Sequence, residues 1–502
     1  MNYDVIIIGG GPVGMMLAGE LALANVKVCV LEKLEDTTPY SRALSIHPRT
    51  IEMLDLRGLK TELLKIGKPL PTGHFAGLET RLDFTVIDSS SNYSLFIAQS
   101  ETEKVLERRA RELGAEIRRG TAVSSISPNS DYVEVVATGT EGEMTLTAAY
   151  VVGADGAGSI VRKQANIPFN GTDVTLTSVQ GDVVLKRPPA TSVVSSFDEN
   201  GMIMIVPVSK EFHRVVFIDP DRKSIPKDTP VTLDELRSGM LRMLGDDYGI
   251  SDPYWMTRFG NATRQAERYR EGRLFLAGDA AHIHFPAGGQ GMNVGLQEAM
   301  NLGWKLAAEV KGWAPEGLLD SYHEERFPVN SALLRNTRVQ TMLFGTDFSS
   351  TTIDLRRLIS NLLEIPEANY RLASQIAAVD VGYKVLDTVS EHPLNGRRLA
   401  EIKLRKENGD IFSSYELFRE GKYVLVNLVN DHLVEGIIRR LPDQHFTFVS
   451  AKLAEPALDW NNVHTAMIRP DGYIAWAISN QESELEQSIK EGIKSISKKY
   501  FF

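Results

Sequence analysis

The chain opens on an apolar run. Asp4-Val5-Ile6-Ile7-Ile8 is nearly continuous and β-branched, as in a strand buried on both faces of a parallel sheet. It runs into Gly9-Gly10-Gly11-Pro12-Val13-Gly14, and a helical pattern, "MMLAGELALAN", follows. A second strand, "VKVCVLE", ends at Glu32. Further along, "VTLTSVQGDVVL", "SVVSSF", "GMIMIVPVS" and "FHRVVFID" are short, β-branched and turn-bounded, which predicts a sheet. "RLFLAGD" predicts a strand ending at Asp279. After it, Leu296, Ala299, Gly303, Leu306 and Val310 keep a helical period, with the helix starting near Gly289–Met292. Helical patterns run on through "DSYHEERFPVNSALLRNTRVQTMLF" to about residue 385. A third region begins near "HPLNGRRL", where "KYVLVNLV", "HFTFVSA" and "TAMIRPDGYIAWAI" read as strands around helical pieces. The alternation of the two periods makes this an α/β protein.

Composition narrows the classes. A chain of 502 residues is long enough for about three domains. A net charge of −10 argues against nucleic acid or an anionic membrane surface as partner. The single cysteine, Cys29, excludes an internal disulfide, a CxxC redox pair and a cysteine zinc site, and fits a reducing cytoplasm. The start, "MNYDVIIIGGGPVG", has no basic region or cleavage site, and no apolar run approaches the ~20 residues of a membrane span. The expectation is a soluble, cytoplasmic protein.

The glycine loop carries the first chemistry. Gly9, Gly11 and Gly14 form GxGxxG between a strand and a helix. Gly9 permits a tight turn, Gly11 lets a pyrophosphate approach the backbone, and Gly14 lets helix and strand pack closely. The helix N-terminus offers free N–H groups to the phosphates, with Pro12 and Val13 in the same turn. Glu32, 21 positions after Gly11, is placed to accept from both ribose hydroxyls, with Lys33 beside it. That acid disfavours a 2′-phosphate, so the dinucleotide is FAD or NAD.

Two later segments bear on that choice. One is "YVVGADGAGSIVRK", with Asp155 and Gly156; the other is "GRLFLAGDAAHIHFPAGGQGMNVGLQEAMNLGWKLA". With the glycine loop they resemble the three fingerprints of the class A flavoprotein monooxygenases, the p-hydroxybenzoate hydroxylase-like aromatic hydroxylases. The C-terminal stretch containing "RPDGYIAW" is similar to the thioredoxin-like domain of the polyketide hydroxylase subgroup. One departure is Asn25, where the extended first fingerprint often has glycine.

The resemblance implies a Rossmann-like FAD-binding domain in three pieces, 1–70, 99–170 and 265–325. A β-sheet substrate domain, 71–98 and 171–264, would be inserted in it. A helical segment, 326–390, and a thioredoxin-like domain without redox cysteines, 391–502, would follow. It implies that Asp279, next to Gly278, holds a ribityl hydroxyl, and that Gly289, Gly291, Met292 and Asn293 present a helix N-terminus to the flavin. Pro286 would wall the reactive edge. "SRALSIHPRTIEMLDLRGL" and "IAQSETEKVLERRARELGAEI" add Arg42 and Gln99 as cofactor contacts, against the plainer readings of a surface salt bridge and a helix-start hydrogen bond. Arg42, His282 and Pro286 are the catalytic candidates, with His47 and His284 as further titratable groups; His282 and His284 also read as pocket wall. A metal site would need His282, His284 and Asp279 together, and no further His or Cys lies near enough to complete a shell, so no metal is expected.

The implied reaction uses NADPH, or NADH, to reduce FAD. O2 then forms a flavin C4a-hydroperoxide that passes one oxygen atom to an aromatic or polyketide-like substrate. Baeyer–Villiger or antibiotic-inactivating oxygenation on the same scaffold, and a non-catalytic flavin-binding module, are the alternatives. A monomer or homodimer is expected, with no nucleic-acid or membrane partner.

Overall fold

The structure is a computed structural model. It describes all residues except 191–192, 346, 385–390, 430, 439–443, 483–484 and 497–502.

The N-terminal apolar run is the central strand, Tyr3–Ile8, of the largest sheet, with Val5, Ile6 and Ile7 fully buried. Val28–Leu31 and Gly142–Gly153 flank it in parallel, with Ile7 opposite Val30 and Val152. Leu274–Leu276 and Glu116–Arg118 extend the parallel array outward. Strands buried on both sides need no polar alternation, which is why Val5–Ile8, Val28–Leu31 and Leu274–Leu276 are uniformly apolar. Helix α1 (Pro12–Leu23) connects the first two strands, giving the βαβ unit that the glycine loop predicts. Its C-cap is Ala24, and Asn25 follows with a left-handed φ of 56°. Glycine adopts that conformation freely and asparagine is the next best residue there, so the departure at Asn25 keeps the turn. Helices α2 (Pro48–Leu56) and α3 (Gln99–Glu112) belong to the same layer.

The four segments read as strands after residue 170 form four strands of a five-stranded antiparallel sheet. Its order is Val194–Asp198, Gly201–Pro207, His213–Ile218, Thr177–Leu185 and Ile250–Gly260. Helix α4 (Leu233–Leu244) covers one face, burying Leu236, Met240 and Met243 against Val179 and Phe217. Its start is capped by Thr232, whose side chain accepts from the Glu235 amide.

Helix α5 (Gly291–Val310) begins where the period predicts, and packs along α1. The strand expected to reach Asp279 ends earlier, at Leu276. Gly278 has φ 62° and breaks the extended chain, so Asp279 sits on a single 3₁₀ turn. Helices α6 (Ser321–Gly345), α7 (Ser350–Leu362) and α8 (Pro366–Ala377) follow. The expected boundary at 390/391 adjoins residues 385–390, which lie outside the described residues.

The C-terminal region is a mixed sheet in the order Phe446–Ser450, Tyr423–Asn427, Val463–Ile468 and Ile474–Ser479. Its first pair is parallel and the others antiparallel. No cysteine lies in it; Cys29 is buried in the N-terminal sheet. Buried charges dock it. Arg469 pairs with Glu325 at 2.7 Å and with Asp471 at 2.6 Å, and Lys305 of α5 reaches Glu325 at 2.8 Å. Arg57 joins Glu20 and donates to the carbonyls of Phe418 and Pro470.

Candidate cofactor site

The crevice lies at the C-terminal ends of the parallel strands, where open α/β sheets bind ligands. Its glycines differ in what they permit. A Cβ on Gly9, at φ 108°, would lie 2.2 Å from the Ala154 carbonyl oxygen, and one on Gly14 would lie 2.0 Å from that of Gly9. A Cβ on Gly11 meets nothing within 4 Å: this position faces open space at the start of α1. No side chain caps α1, so its first N–H groups are available to an anion. Glu32 is held by two amides, from Gly10 at 2.6 Å and from Leu34 at 2.9 Å, one on each carboxylate oxygen. Each oxygen keeps a second lone pair, the arrangement a ribose diol needs. Lys33 is exposed beside it.

The other two fingerprints meet through an arginine. Arg162 donates to the Ala280 carbonyl at 2.8 Å and to the Ala157 carbonyl at 2.8 Å, joining the Asp155-Gly156 loop to the Asp279 turn. Asp155 Oδ2 accepts from the Ile160 amide at 2.6 Å, capping a short helix, while Oδ1 is buried without a partner. Asp279 opens into the crevice with protein on every other side. This desolvation pushes its carboxyl above the usual range, against the opposing pull of His282 and Arg42.

The remaining candidates divide. Arg42 is exposed, and its guanidinium has no ion pair among the described residues, so the salt-bridge reading fails. Gln99 starts α3 and is engaged by protein: Oε1 accepts from the Ala43 amide at 3.0 Å and Nε2 donates to Glu103 at 2.7 Å. It therefore positions the Arg42 segment and has one N–H left for a ligand. The Asn293 side chain is also committed, accepting from the His47 amide at 2.7 Å and donating to the carbonyls of Ser45 and Gly289. Any cofactor contact there is through backbone, as for Gly291 and Met292 in the first turn of α5. Pro286 is exposed to the crevice beside Gly289.

His282 is corrected. It is 1% exposed, so it does not line a pocket. It lies behind the Asp279 turn with Nε2 at 2.9 Å from Glu298 of α5. His284 is half-buried, its Nδ1 at 2.6 Å from the Phe285 carbonyl, and burial brings its pKa down to about 4.

Two residues outside the candidate set, Glu298 and Arg214, organise the site together with His47. Glu298 is fully buried; it takes the His282 contact on one oxygen and accepts from the Gly278 amide at 2.7 Å on the other. Burial alone would raise this carboxyl, but His282, Arg326 and the Gly278 amide hold it below its ordinary range. Arg214 of the five-stranded sheet pairs with Asp182 at 2.8 Å and donates to the carbonyls of Ser41 and Arg42. His47 Nε2 is 2.8 Å from the Gly288 carbonyl, fixing the glycine-rich loop. An Arg within a β-branched strand was the only signal for Arg214; nothing local marked Glu298.

These features fit FAD. The phosphate-facing glycine is open, the ribose acid is oriented, and the Asp279 carboxylate opens into the crevice. Among the described residues no cluster of three or more His, Cys, Asp or Glu could hold a metal ion.

Fold and crevice together define a dinucleotide-binding flavoprotein. The chain belongs to the FAD-dependent aromatic-ring hydroxylases: residues 2–337 match the FAD binding domain family and 392–493 the aromatic-ring hydroxylase C-terminal family. An uncharacterized aromatic compound monooxygenase of Bacillus subtilis (strain 168) is 50% identical over 498 residues, 98% of each chain. The 12-dehydrotetracycline 5-monooxygenase/anhydrotetracycline 6-monooxygenase of Streptomyces rimosus is 40% identical over 486 residues, 95% of each. The solved anhydrotetracycline hydroxylase OxyS of Streptomyces rimosus superposes with a TM-score of 0.91 at 38% identity, covering 99% of both chains. The protein is thus an FAD-dependent monooxygenase of the aromatic polyketide type. Among the described residues no helix is long and apolar enough to cross a membrane.

Proposed function

We propose that this enzyme consumes NADPH to place one atom of O2 on an electron-rich carbon of an aromatic polyketide-like substrate. Substrate, O2, NADPH and a proton give hydroxylated substrate, water and NADP⁺. The observation that carries this reading is the junction at Pro286. On one side is the crevice of Asp279 and the α5 N-terminus. On the other is a buried aromatic cluster, where Phe285 lies 5.5 Å from Phe259 of the five-stranded sheet and 6.1 Å from Phe344 of α6.

When bound, FAD supplies the reduction and activation of O2; the protein binds, orients and excludes water. Glu32 would hold the adenosine ribose, and the N–H groups at the starts of α1 and α5 would serve the pyrophosphate and the ring. Asp279 would bind the ribityl chain. Arg42, steadied by Arg214, would supply a cation to the flavin without contributing a base. Pro286, Phe285 and Ala287 keep the reacting face dry, since water there would divert oxygen to peroxide. An activated phenol needs no strong base, and the buried His282–Glu298 pair is set behind the turn as support.

The test is NADPH oxidation by FAD-loaded protein against phenols, naphthoquinones and tetracycline-like polyketides, with product mass read alongside. A substrate-stimulated rate with a product 16 mass units heavier is expected, and NMR then separates hydroxylation from insertion beside a carbonyl. Stimulated oxidation that yields only peroxide with every substrate would overturn the assignment.

A further inference from the structure

The stretch Arg469-Pro470-Asp471-Gly472-Tyr473 has no part in the chemistry described so far. It is a tight turn of the C-terminal sheet, between strands Val463–Ile468 and Ile474–Ser479. The Arg469 carbonyl accepts from the Gly472 amide at 2.9 Å, and the Arg469 amide donates to the Tyr473 carbonyl at 2.8 Å. The tip of the turn rests on α2. A Cβ on Gly472, at φ 75°, would lie 2.7 Å from the Leu56 side chain, so no other residue fits there without displacing α2. Asp471 is fully buried and meets two helices. Its side chain accepts from Asn301 of α5 at 3.2 Å, and its carbonyl accepts from Arg49 of α2 at 3.0 Å.

Arg49 is itself fully buried. Its guanidinium lies 4.7 Å from the Tyr473 ring centre and pairs with Glu52 at 3.0 Å. Glu52 also takes Arg398 at 2.9 Å, so a buried carboxylate between two arginines ties α2 to the C-terminal region. A planar guanidinium meets a carboxylate, a carbonyl and an aromatic face at once, which a compact ammonium does not. The other end of this linkage is the crevice. Arg49 stands two residues after His47, the N-cap of α2. The His47 amide donates to Asn293 Oδ1 at 2.7 Å, and its Nε2 lies 2.8 Å from the Gly288 carbonyl. A Cβ on Gly289 would be 2.8 Å from Ser45 Oγ, so this segment presses directly on the glycine loop. Gly288 and Gly289 have left-handed φ of 71° and 65°, and glycines restrain their own backbone least of all residues.

We infer that Arg49 is a positioning residue for the cofactor: through it the C-terminal sheet sets how α2 holds His47 against Gly288–Gly289, and so how closely that loop fits the flavin. Contact is continuous from the turn at 469–473 through the first turn of α2 to the loop beside Pro286, and packed interiors are stiff enough to transmit strain along such a path. A site of this kind keeps its geometry only when the residues behind it are locked in turn. The C-terminal region thereby acquires a role that needs no cysteine. The role concerns FAD binding alone and is independent of the substrate and of the oxygenation reading.

The experiment is FAD titration of the full chain by flavin fluorescence. The visible circular dichroism of the bound flavin and the thermal unfolding of FAD-free protein are read on the same variants. Arg49→Met removes the contacts to Glu52 and to the Asp471 carbonyl, while Glu52 keeps Arg398, so no buried carboxylate is stranded. It is expected to weaken FAD binding about tenfold and to alter the flavin's dichroism. Ile478→Ala is the control for stability alone, because Ile478 is buried in the separate apolar cluster around Trp476 and Tyr423. It should lower the unfolding temperature yet leave FAD affinity within about twofold and the dichroism as in native protein. Where Arg49→Met fails to fold, Arg49→Lys decides. Lysine keeps a cation on Glu52 without the fork that also reaches Asp471, and should weaken FAD binding about threefold with a dichroism change. Native affinity and dichroism in a folded Arg49 variant, or an equal loss of both in Ile478→Ala, would overturn the inference. Binding is read without turnover, so this result stands apart from the NADPH assay.

Discussion

Gly11 and Gly14 belong to one motif but answer to different neighbours. At Gly14 the missing Cβ makes room for the protein's own chain, 2.0 Å away. At Gly11 it makes room for something else, because nothing of the protein is within 4 Å. Gly11→Ala should therefore leave the stability of FAD-free protein within about 1 kcal/mol, since the N-cap φ of −75° suits alanine. The same change should weaken FAD binding at least tenfold, read by flavin fluorescence titration. Gly14→Ala should instead lose folded protein altogether, visible as loss of cooperative thermal unfolding. Equal effects of the two changes on stability would mean that Gly11 faces protein. Glu32→Ala is expected to cost about 1–3 kcal/mol of FAD affinity, the scale of hydrogen bonds to a charged acceptor.

At the scale of elements, α5 does more than present its N-terminus. Through Glu298 it grips the amide of Gly278 and the ring of His282, and so sets the turn that carries Asp279. Glu298→Ala strands a buried imidazole and a buried amide, and should destabilise the protein by about 3–5 kcal/mol. Glu298→Gln keeps the shape and should recover much of that, with FAD affinity following the same order by titration. The folded-state pKa of Glu298 is depressed, so its stabilisation is complete above the ordinary carboxylate range and is lost as pH falls through that range. The native protein should therefore lose thermal stability faster below about pH 4–5 than Glu298→Gln does, by calorimetry. Parallel pH profiles would remove Glu298 from this role.

For the whole molecule, the C-terminal sheet is joined to the FAD layer by charge. Arg469 lies between Glu325 of α6 and Asp471, and Lys305 of α5 completes the group. Burial would raise the Glu325 carboxyl, but the two cations hold it well below its normal range. Arg469→Met leaves two buried carboxylates with less counter-charge and should lower stability by about 3–5 kcal/mol in chemical denaturation. Unchanged stability would mean that apolar contacts such as Trp304 on Tyr423 carry the docking alone.

The glycine loop, its strand and helix, and the ribose acid were legible in the residue order because each depends on neighbours within a few dozen positions. A tight turn, a close approach and a free helix end are local steric facts, and the apolar period reports burial directly. The antiparallel strands and the start of α5 were readable for the same reason. What joins the fingerprints was not. Arg162 reaches Ala280 across 118 positions, Arg214 reaches Arg42 across 172, and Arg49 meets the Asp471 carbonyl across 422. His282 looked like a pocket residue beside Asp279, yet the turn at Gly278 directs it into the core toward Glu298. Contacts of this kind have no period and no spacing, because their partners come together only when separate layers pack. Chain order thus determined the cofactor, because its fingerprints are local steric facts; packing alone decided which charges hold the crevice in shape, because those partners meet only when separate layers pack.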